Sequence, residues 1–314
     1  MKLDFSTICD ITIGAMQIWQ QEDGVHFSKC TEEQLVEWEK YGPNIFENTK
    51  ATTGVRMDFR TNSPFVRVEV AQGKKFEVKI DGLLTHKFTN TEDGAWFFEI
   101  PLKGDDARVT IVLPSHNPSG VIKSIEIEDG AMVKKHVFDK KILFLGDSIT
   151  QGWDADYDSL SFAYLVSDFF NADSVIQGVG SARFAPETAI KIPFDADMVF
   201  ISYGTNDYHT LQSLDEILEK EQAFLEKIKE IYSGAEIFVI SPIWRMDTHI
   251  PMPVGSFESC CDEIKKIVKN LGLKLIDGEK MLPPISRFMA DDLHPNDLGF
   301  ALFALNLLRE MGKA

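Results

Sequence analysis

The chain has 314 residues, 44% of them hydrophobic and 26% charged, the composition of a folded globular protein long enough for two domains. With 32 Lys+Arg against 49 Asp+Glu, its formal net charge is -17. A field of that sign repels phosphate backbones and anionic bilayers, so neither nucleic acid nor a membrane surface is an expected partner. No run approaches the roughly 18 apolar residues of a membrane span. Met1–Ser6 also lacks the apolar core of a secretory signal, so a cytoplasmic location is expected. Cys9, Cys30 and the adjacent pair Cys260–Cys261 show no metal-ligand spacing, and free thiols are expected.

Residues 1–138 read as an all-β domain. Short apolar or alternating stretches at Val55–Phe59, Val66–Ala71, Phe76–Ile80, Trp96–Ile100 and Val109–Leu113 predict strands. Asp81-Gly82, Asp93-Gly94 and Asn117-Pro118 punctuate them as turns. Closely spaced strands of this kind predict a sandwich or jelly roll. One short helix is expected over Thr31–Tyr41.

From residue 139 to 314 the pattern becomes strand then helix, repeated. Strands are predicted at Ile142–Leu145, Ser174–Gln177, Met198–Tyr203, Glu236–Ile240 and Lys274–Ile276. Helices are predicted over Leu214–Tyr232, entered through a capping box at Ser213–Glu216, and over Asp297–Met311 with Asn296 as cap. Near-continuous apolar strands alternating with helices predict an α/β fold, a parallel sheet covered on both faces. Ligand sites in such open sheets form beyond the carboxyl ends of the strands.

The reactive residues fall at those ends. Gly146-Asp147-Ser148-Ile149-Thr150 follows the first strand, Gly178-Val179-Gly180-Ser181 the second, and Gly204-Thr205-Asn206-Asp207 the third. Asp291-Asp292-Leu293-His294-Pro295-Asn296 leads into the last helix. Cleaving an ester with a serine requires a base, an acid that fixes the base's tautomer, and donors for the oxyanion. Ser148 is the candidate nucleophile, His294 the base and Asp291 the acid, with Asp292 as its competitor; Asp147 is expected to hold the turn. The backbone N–H groups of Ser148 and Gly180 (or Ser181) and the Asn206 amide are the candidate oxyanion donors. Trp153, Tyr208, His209, Trp244 and Arg245 are candidate pocket residues, and Arg183 a candidate partner for an acidic substrate. A dinucleotide fingerprint fails because Arg183 stands where its third glycine would be. The α/β-hydrolase elbow fails for want of a second glycine after Ser148.

Taken in order, the Gly-Asp-Ser-Ile, Gly-Thr-Asn-Asp and Asp-x-x-His-Pro-Asn blocks resemble those of SGNH hydrolases, the GDSL esterases and lipases. The likeness covers residues 140–312; at the second block Ile176 stands where the family commonly has asparagine. It implies a flavodoxin-like catalytic domain at 139–314 and a serine esterase that needs neither metal nor organic cofactor. A β-domain ahead of it is similar to the layout of family-two carbohydrate esterases. That layout implies a small-molecule ester as substrate, such as an acetylated sugar. A lysophospholipase or thioesterase on the same fold, or an inactive carbohydrate-binding protein, are the alternatives.

Overall fold

The computed structural model describes residues 1–313. The chain opens with α1 (Phe5–Ile11), β1 (Thr12–Ile13), β2 (Gln17–Gln21), β3 (Gly24–Ser28), α2 (Glu32–Glu39) and α3 (Pro43–Thr49). Eight further strands follow: β4 (Arg56–Thr61), β5 (Phe65–Gln72), β6 (Lys75–Ile80), β7 (Leu83–Thr89), β8 (Trp96–Pro101), β9 (Ala107–Val112), β10 (Val121–Ile127) and β11 (Val133–Lys135). They form two antiparallel sheets, one ordered β2-β3-β10-β5-β8 and the other β1-β4-β9-β6-β7 with β11 added on β4.

Period-two alternation explains why the sheets stack. Val66, Val68 and Val70 of one sheet and Met57, Phe59, Val109 and Ile111 of the other turn inward and are fully buried in a shared core. Asp81 and Gly82 join β6 to β7 with both φ angles positive, the geometry of a two-residue hairpin turn. The helix expected near Thr31 is α2, closed by a capping box between Thr31 and Gln34.

The second sheet also buries its other face, where alternation alone predicts solvent. Arg56, Asp58, Glu77, Lys79 and Thr110 are all buried there. That face packs on the C-terminal part of the chain. Arg56 donates to the Ala172 carbonyl at 2.9 Å and the Ser174 hydroxyl at 3.2 Å. Glu77 accepts from Ser159, and Lys79 pairs with Asp168.

That C-terminal part runs β12 (Lys140–Gly146), α4 (Ser148–Gln151), α5 (Phe162–Phe169), β13 (Ala172–Gly178), β14 (Met198–Ser202), α6 (Thr205–Thr210) and α7 (Leu214–Ile231). It ends with β15 (Glu236–Ile240), α8 (Phe257–Asn270), β16 (Lys274–Ile276) and α9 (Asp297–Glu310). The five strands pair in parallel in the order β13-β12-β14-β15-β16, the flavodoxin-like arrangement. One face carries Phe144, Phe200 and Phe238, stacked 5.0–5.1 Å apart and packed with α5 and α9. The other carries Leu143, Val199 and Val239, packed with α7 and α8. The strand order reverses beside β12, so β12 and β14 open a crevice at their carboxyl ends, where Ser148 and Asn206 lie.

Candidate active site

Ser148 begins α4 immediately after β12, with Asp147 as the helix cap. The Asp147 carboxylate accepts the Ile149 N–H at 2.9 Å, which holds the strand-to-helix turn. Burial pushes its pKa up to about 7. As the first helical residue, Ser148 has an N–H with no partner inside the helix. Gly178 permits the close approach of α4 to β13, because a Cβ there would lie 2.3 Å from the Gln151 nitrogen.

The structure brings Ser148, His294 and Asp291 into one hydrogen-bonded chain. Ser148 Oγ lies 2.8 Å from His294 Nε2, and His294 Nδ1 lies 2.8 Å from Asp291 Oδ2. A carboxylate at Nδ1 keeps the proton there and leaves the Nε2 lone pair facing the serine hydroxyl. The loop is pinned locally: Asp291 Oδ1 accepts the N–H groups of Leu293 at 2.7 Å and His294 at 2.6 Å. Burial works to raise the Asp291 pKa, yet the hydrogen bonds from the His294 N–H and ring and from Leu293 outweigh it and hold the pKa below the ordinary value.

A second carboxylate, absent from the sequence reading, reaches the same nitrogen. Asp154 Oδ2 is 3.4 Å from His294 Nδ1. Asp154 adopts φ +65°, an uncommon conformation for a residue with a Cβ. Its only sequence signal is its place shortly after the first block, six residues after Ser148. Asp292, by contrast, uses its backbone carbonyl to accept the Met246 N–H at 2.8 Å. Asp154, Asp291 and His294 bring ligand-type atoms within 4.8 Å of one another, the grouping of metal-binding residue types among the described residues. A metal there would compete with Asp291 for His294 Nδ1.

Among the expected oxyanion donors, Gly180 is corrected. Its N–H donates to Gln151 Oε1 at 2.7 Å. Gln151 is buried and also donates to the Ser115 carbonyl at 2.6 Å, so the amide satisfies both ends by taking the glycine N–H. The neighbouring Ser181 N–H, at a residue with φ +65°, meets no acceptor among the described residues. Asn206 lies in the first turn of α6 and gives one amide N–H to the Ala182 carbonyl at 3.0 Å, which leaves its second N–H. Asp207 ties the rim together, accepting from the Phe184 and Gly204 N–H groups, each at 3.1 Å.

The other candidates separate by burial. Tyr208 is buried edge-on against Phe257, and buried Arg245 donates to Thr205 and pairs with Asp247 at 2.5 Å; both build the scaffold behind the rim. Trp244 packs on the sheet core, and His209 is exposed. Arg183 is half-buried and forms no ion pair among the described residues. Trp153 stays at the site, its ring 6.2 Å from that of His294 and 4.7 Å from that of His116. The four cysteines are free, and no helix among the described residues is long and apolar enough to cross a membrane.

The N-terminal domain reaches this rim, which its sequence did not reveal. Asn48 of α3 donates to the Gly180 carbonyl at 3.1 Å, and Asn44 donates to Ser181 Oγ at 3.2 Å.

Comparison with known proteins agrees with this architecture. A salicylyl-acyltransferase from a tetracycline biosynthetic pathway superposes with a TM-score of 0.86 at 19% identity, covering 96% of this chain and 93% of its own. An acetyl xylan esterase from Butyrivibrio proteoclasticus gives 0.65 at 14% identity over 100% of both chains. A family-two carbohydrate esterase from Cellvibrio japonicus gives 0.64 at 14% identity, covering 96% of this chain and 95% of its own. No curated protein sequence matches the chain. The model of the GDSL-like lipase/acylhydrolase family matches residues 144–302, a span that takes in every block described above and half of the chain. The chain belongs to the GDSL-like lipase/acylhydrolase family.

Proposed function

We propose that the protein is a serine esterase of small acyl esters, acetyl esters of carbohydrates foremost, with Ser148, His294 and Asp291 as its catalytic triad. The observation that carries this reading is the relay from Ser148 Oγ through His294 to Asp291, with both links at 2.8 Å. Ser148 Oγ attacks the acyl carbonyl while His294 Nε2 takes its proton, and Asp291 stabilises the imidazolium. The tetrahedral oxyanion faces the N–H groups of Ser148 and Ser181 and the second amide N–H of Asn206, each such donor being worth roughly 3 kcal/mol in the transition state. Collapse expels the alcohol, which takes the proton from His294, and water then cleaves the acyl-enzyme by the reverse sequence. This chemistry draws on no metal or organic cofactor.

The carbohydrate preference is supported by the space beside the triad. The cleft bordered by Asp154, about 260 Å³ in volume, has Lys75, Ser115, His116, Asn117 and Asp158 in its lining, hydrogen-bonding groups that suit a sugar alcohol better than a lipid chain. Likeness in fold to an acetyl xylan esterase points the same way. Likeness to an acyltransferase favours one second reading, in which an acceptor alcohol replaces water in the second half-reaction.

Initial rates on p-nitrophenyl esters from acetate to long chains, with Ser148→Ala alongside, test the proposal. The expected result is fastest turnover on acetate, lost in a variant that stays folded. Retention of wild-type turnover by Ser148→Ala would overturn the nucleophile. Adding a polyol and following acyl-sugar formation separates transfer from hydrolysis.

A further inference from the structure

The acid-side edge of the relay opens into a cleft that the reaction as described leaves unfilled. Asp154 lines it on the side of the relay, together with Ser115, His116 and Asn117 from the N-terminal domain. Lys74 and Lys75, where the chain enters β6, also line it and are exposed. The position matters because the departing alcohol is protonated by His294, so that alcohol must sit on the His294 side of Ser148. The Trp153 ring bridges His294 and His116 on that side.

Two features give the cleft a chemical preference. Two lysines line it, and a third, Lys87, shares the Tyr157 ring with Lys75, although the chain as a whole is strongly acidic. Lys74 has Asp93 at 3.8 Å and Lys87 has Asp156 at 4.0 Å, but Lys75 has no carboxylate within ion-pair distance among the described residues. Its ammonium donates only to the Asp156 carbonyl, at 3.2 Å, and stands over the Tyr157 ring. Such a group retains donors for an incoming anion. His116 makes no hydrogen bond within the described residues, its Nδ1 lying 3.9 Å from Asp158. Burial, with Lys75 nearby, lowers its pKa to about 4, so at neutral pH the ring offers one donor and one acceptor, as a hydroxyl requires.

We infer that this cleft is the alcohol subsite, and that it takes a polyhydroxylated alcohol bearing a carboxylate or phosphate, with Lys75 contacting the anion and His116 a hydroxyl. The inference rests on the esterase reading above. In the first half-reaction the Ser148 Oγ–acyl bond forms and the bond to the alcohol oxygen breaks. The alcohol oxygen keeps that electron pair and accepts the proton that His294 took from Ser148.

The test compares kcat/KM of the full-length protein on four acetate esters: p-nitrophenyl acetate, an acetylated methyl glucoside, the matching glucuronide and the matching sugar phosphate. At least one anionic sugar ester is expected to exceed the neutral one by tenfold or more, and which one does so identifies the anion. Lys75→Met should bring that ratio close to one through KM, and Lys75→Glu should invert it. Lys134→Met, on the remote strand β11, should leave it unchanged. Equal kcat/KM on neutral and anionic sugars with p-nitrophenyl acetate still hydrolysed, or a ratio that survives both Lys75 variants, overturns the subsite alone. Inactivity on all four esters overturns the esterase reading and the subsite together.

Discussion

Gln151 Oε1 receives the Gly180 N–H at 2.7 Å while Gln151 Nε2 donates to the Ser115 carbonyl at 2.6 Å. One buried amide therefore joins the helix that begins with Ser148, the turn after the neighbouring strand and a loop of the sandwich. Gln151→Met would leave a buried N–H and a buried carbonyl unpaired, at about 1–3 kcal/mol each. Urea melts should show a loss of roughly 2–6 kcal/mol. Esterase kcat should also drop at temperatures where the variant is folded, because the Ser181 turn loses its anchor. Unchanged kcat would mean that Gln151 acts on stability alone.

Asp291 and Asp154 both face His294 Nδ1, at 2.8 and 3.4 Å. Removing the acid of a serine triad costs about 10⁴ in kcat where no substitute exists. Asp291→Ala is expected to lose less, on the order of 10²-fold, because Asp154 can close on the nitrogen. The pair Asp154→Asn with Asp291→Ala should then lose the full factor. If the double variant matches Asp291→Ala, Asp154 takes no part in orienting the base.

Glu221 of α7 is fully buried, and neither carboxylate oxygen has a hydrogen-bond partner. Burial pushes its pKa up to about 9, with Asp207 adding to the shift. A raised carboxyl pKa means that the folded state holds the proton where the unfolded state releases it. Stability linked to this group is therefore complete below about pH 4 and declines as pH rises towards 9. Asp147, Asp158 and Asp207, each raised to about 7, add to the slope between about pH 4 and 7. Glu221→Met should stabilise the protein by at least ~2 kcal/mol at pH 8 and by less at pH 5. Guanidinium melts across that range would show it; an equal effect at both pH values would contradict it.

Arg56 is one anchor between the sandwich and the parallel sheet, donating across to Ala172 and Ser174, and locally to Gly54, from a position only 4% exposed. Arg56→Met leaves those acceptors buried without a donor and should cost about 2–4 kcal/mol. A second unfolding transition in the variant, followed by tryptophan fluorescence, is the expected signature of the two parts losing their coupling. Stability equal to wild type would show that the sandwich is held by other contacts.

Much of this molecule is legible in its sequence, for local reasons. Strands β12 to β16 are short apolar runs separated by helical periodicity. Their order of appearance puts each polar block at a carboxyl end, so the meeting of Ser148 with His294 follows from topology. Asp291 is legible because three residues of loop bring it back to the His294 ring. On the N-terminal side, five strands stand out by alternation, whereas the short β1 and β11 and the longer β2, β3, β7 and β10 fall outside the predicted stretches. Their polar positions dilute the pattern: β7 exposes every second residue, and Lys123 to Glu126 interrupt β10.

The sequence by itself determines the class of fold, the polar blocks and the Asp291–His294 link, because each depends on a local pattern or on neighbours within a few residues. Tertiary structure alone decides the rest. It assigns the Gly180 N–H to a side chain 29 residues away, brings Asp154 to His294, and buries one polar face of the sandwich against β13. It also carries His116 and Lys75 to the edge of the site. These are contacts between side chains far apart in the chain, and periodicity records which face a residue occupies but not what that face meets.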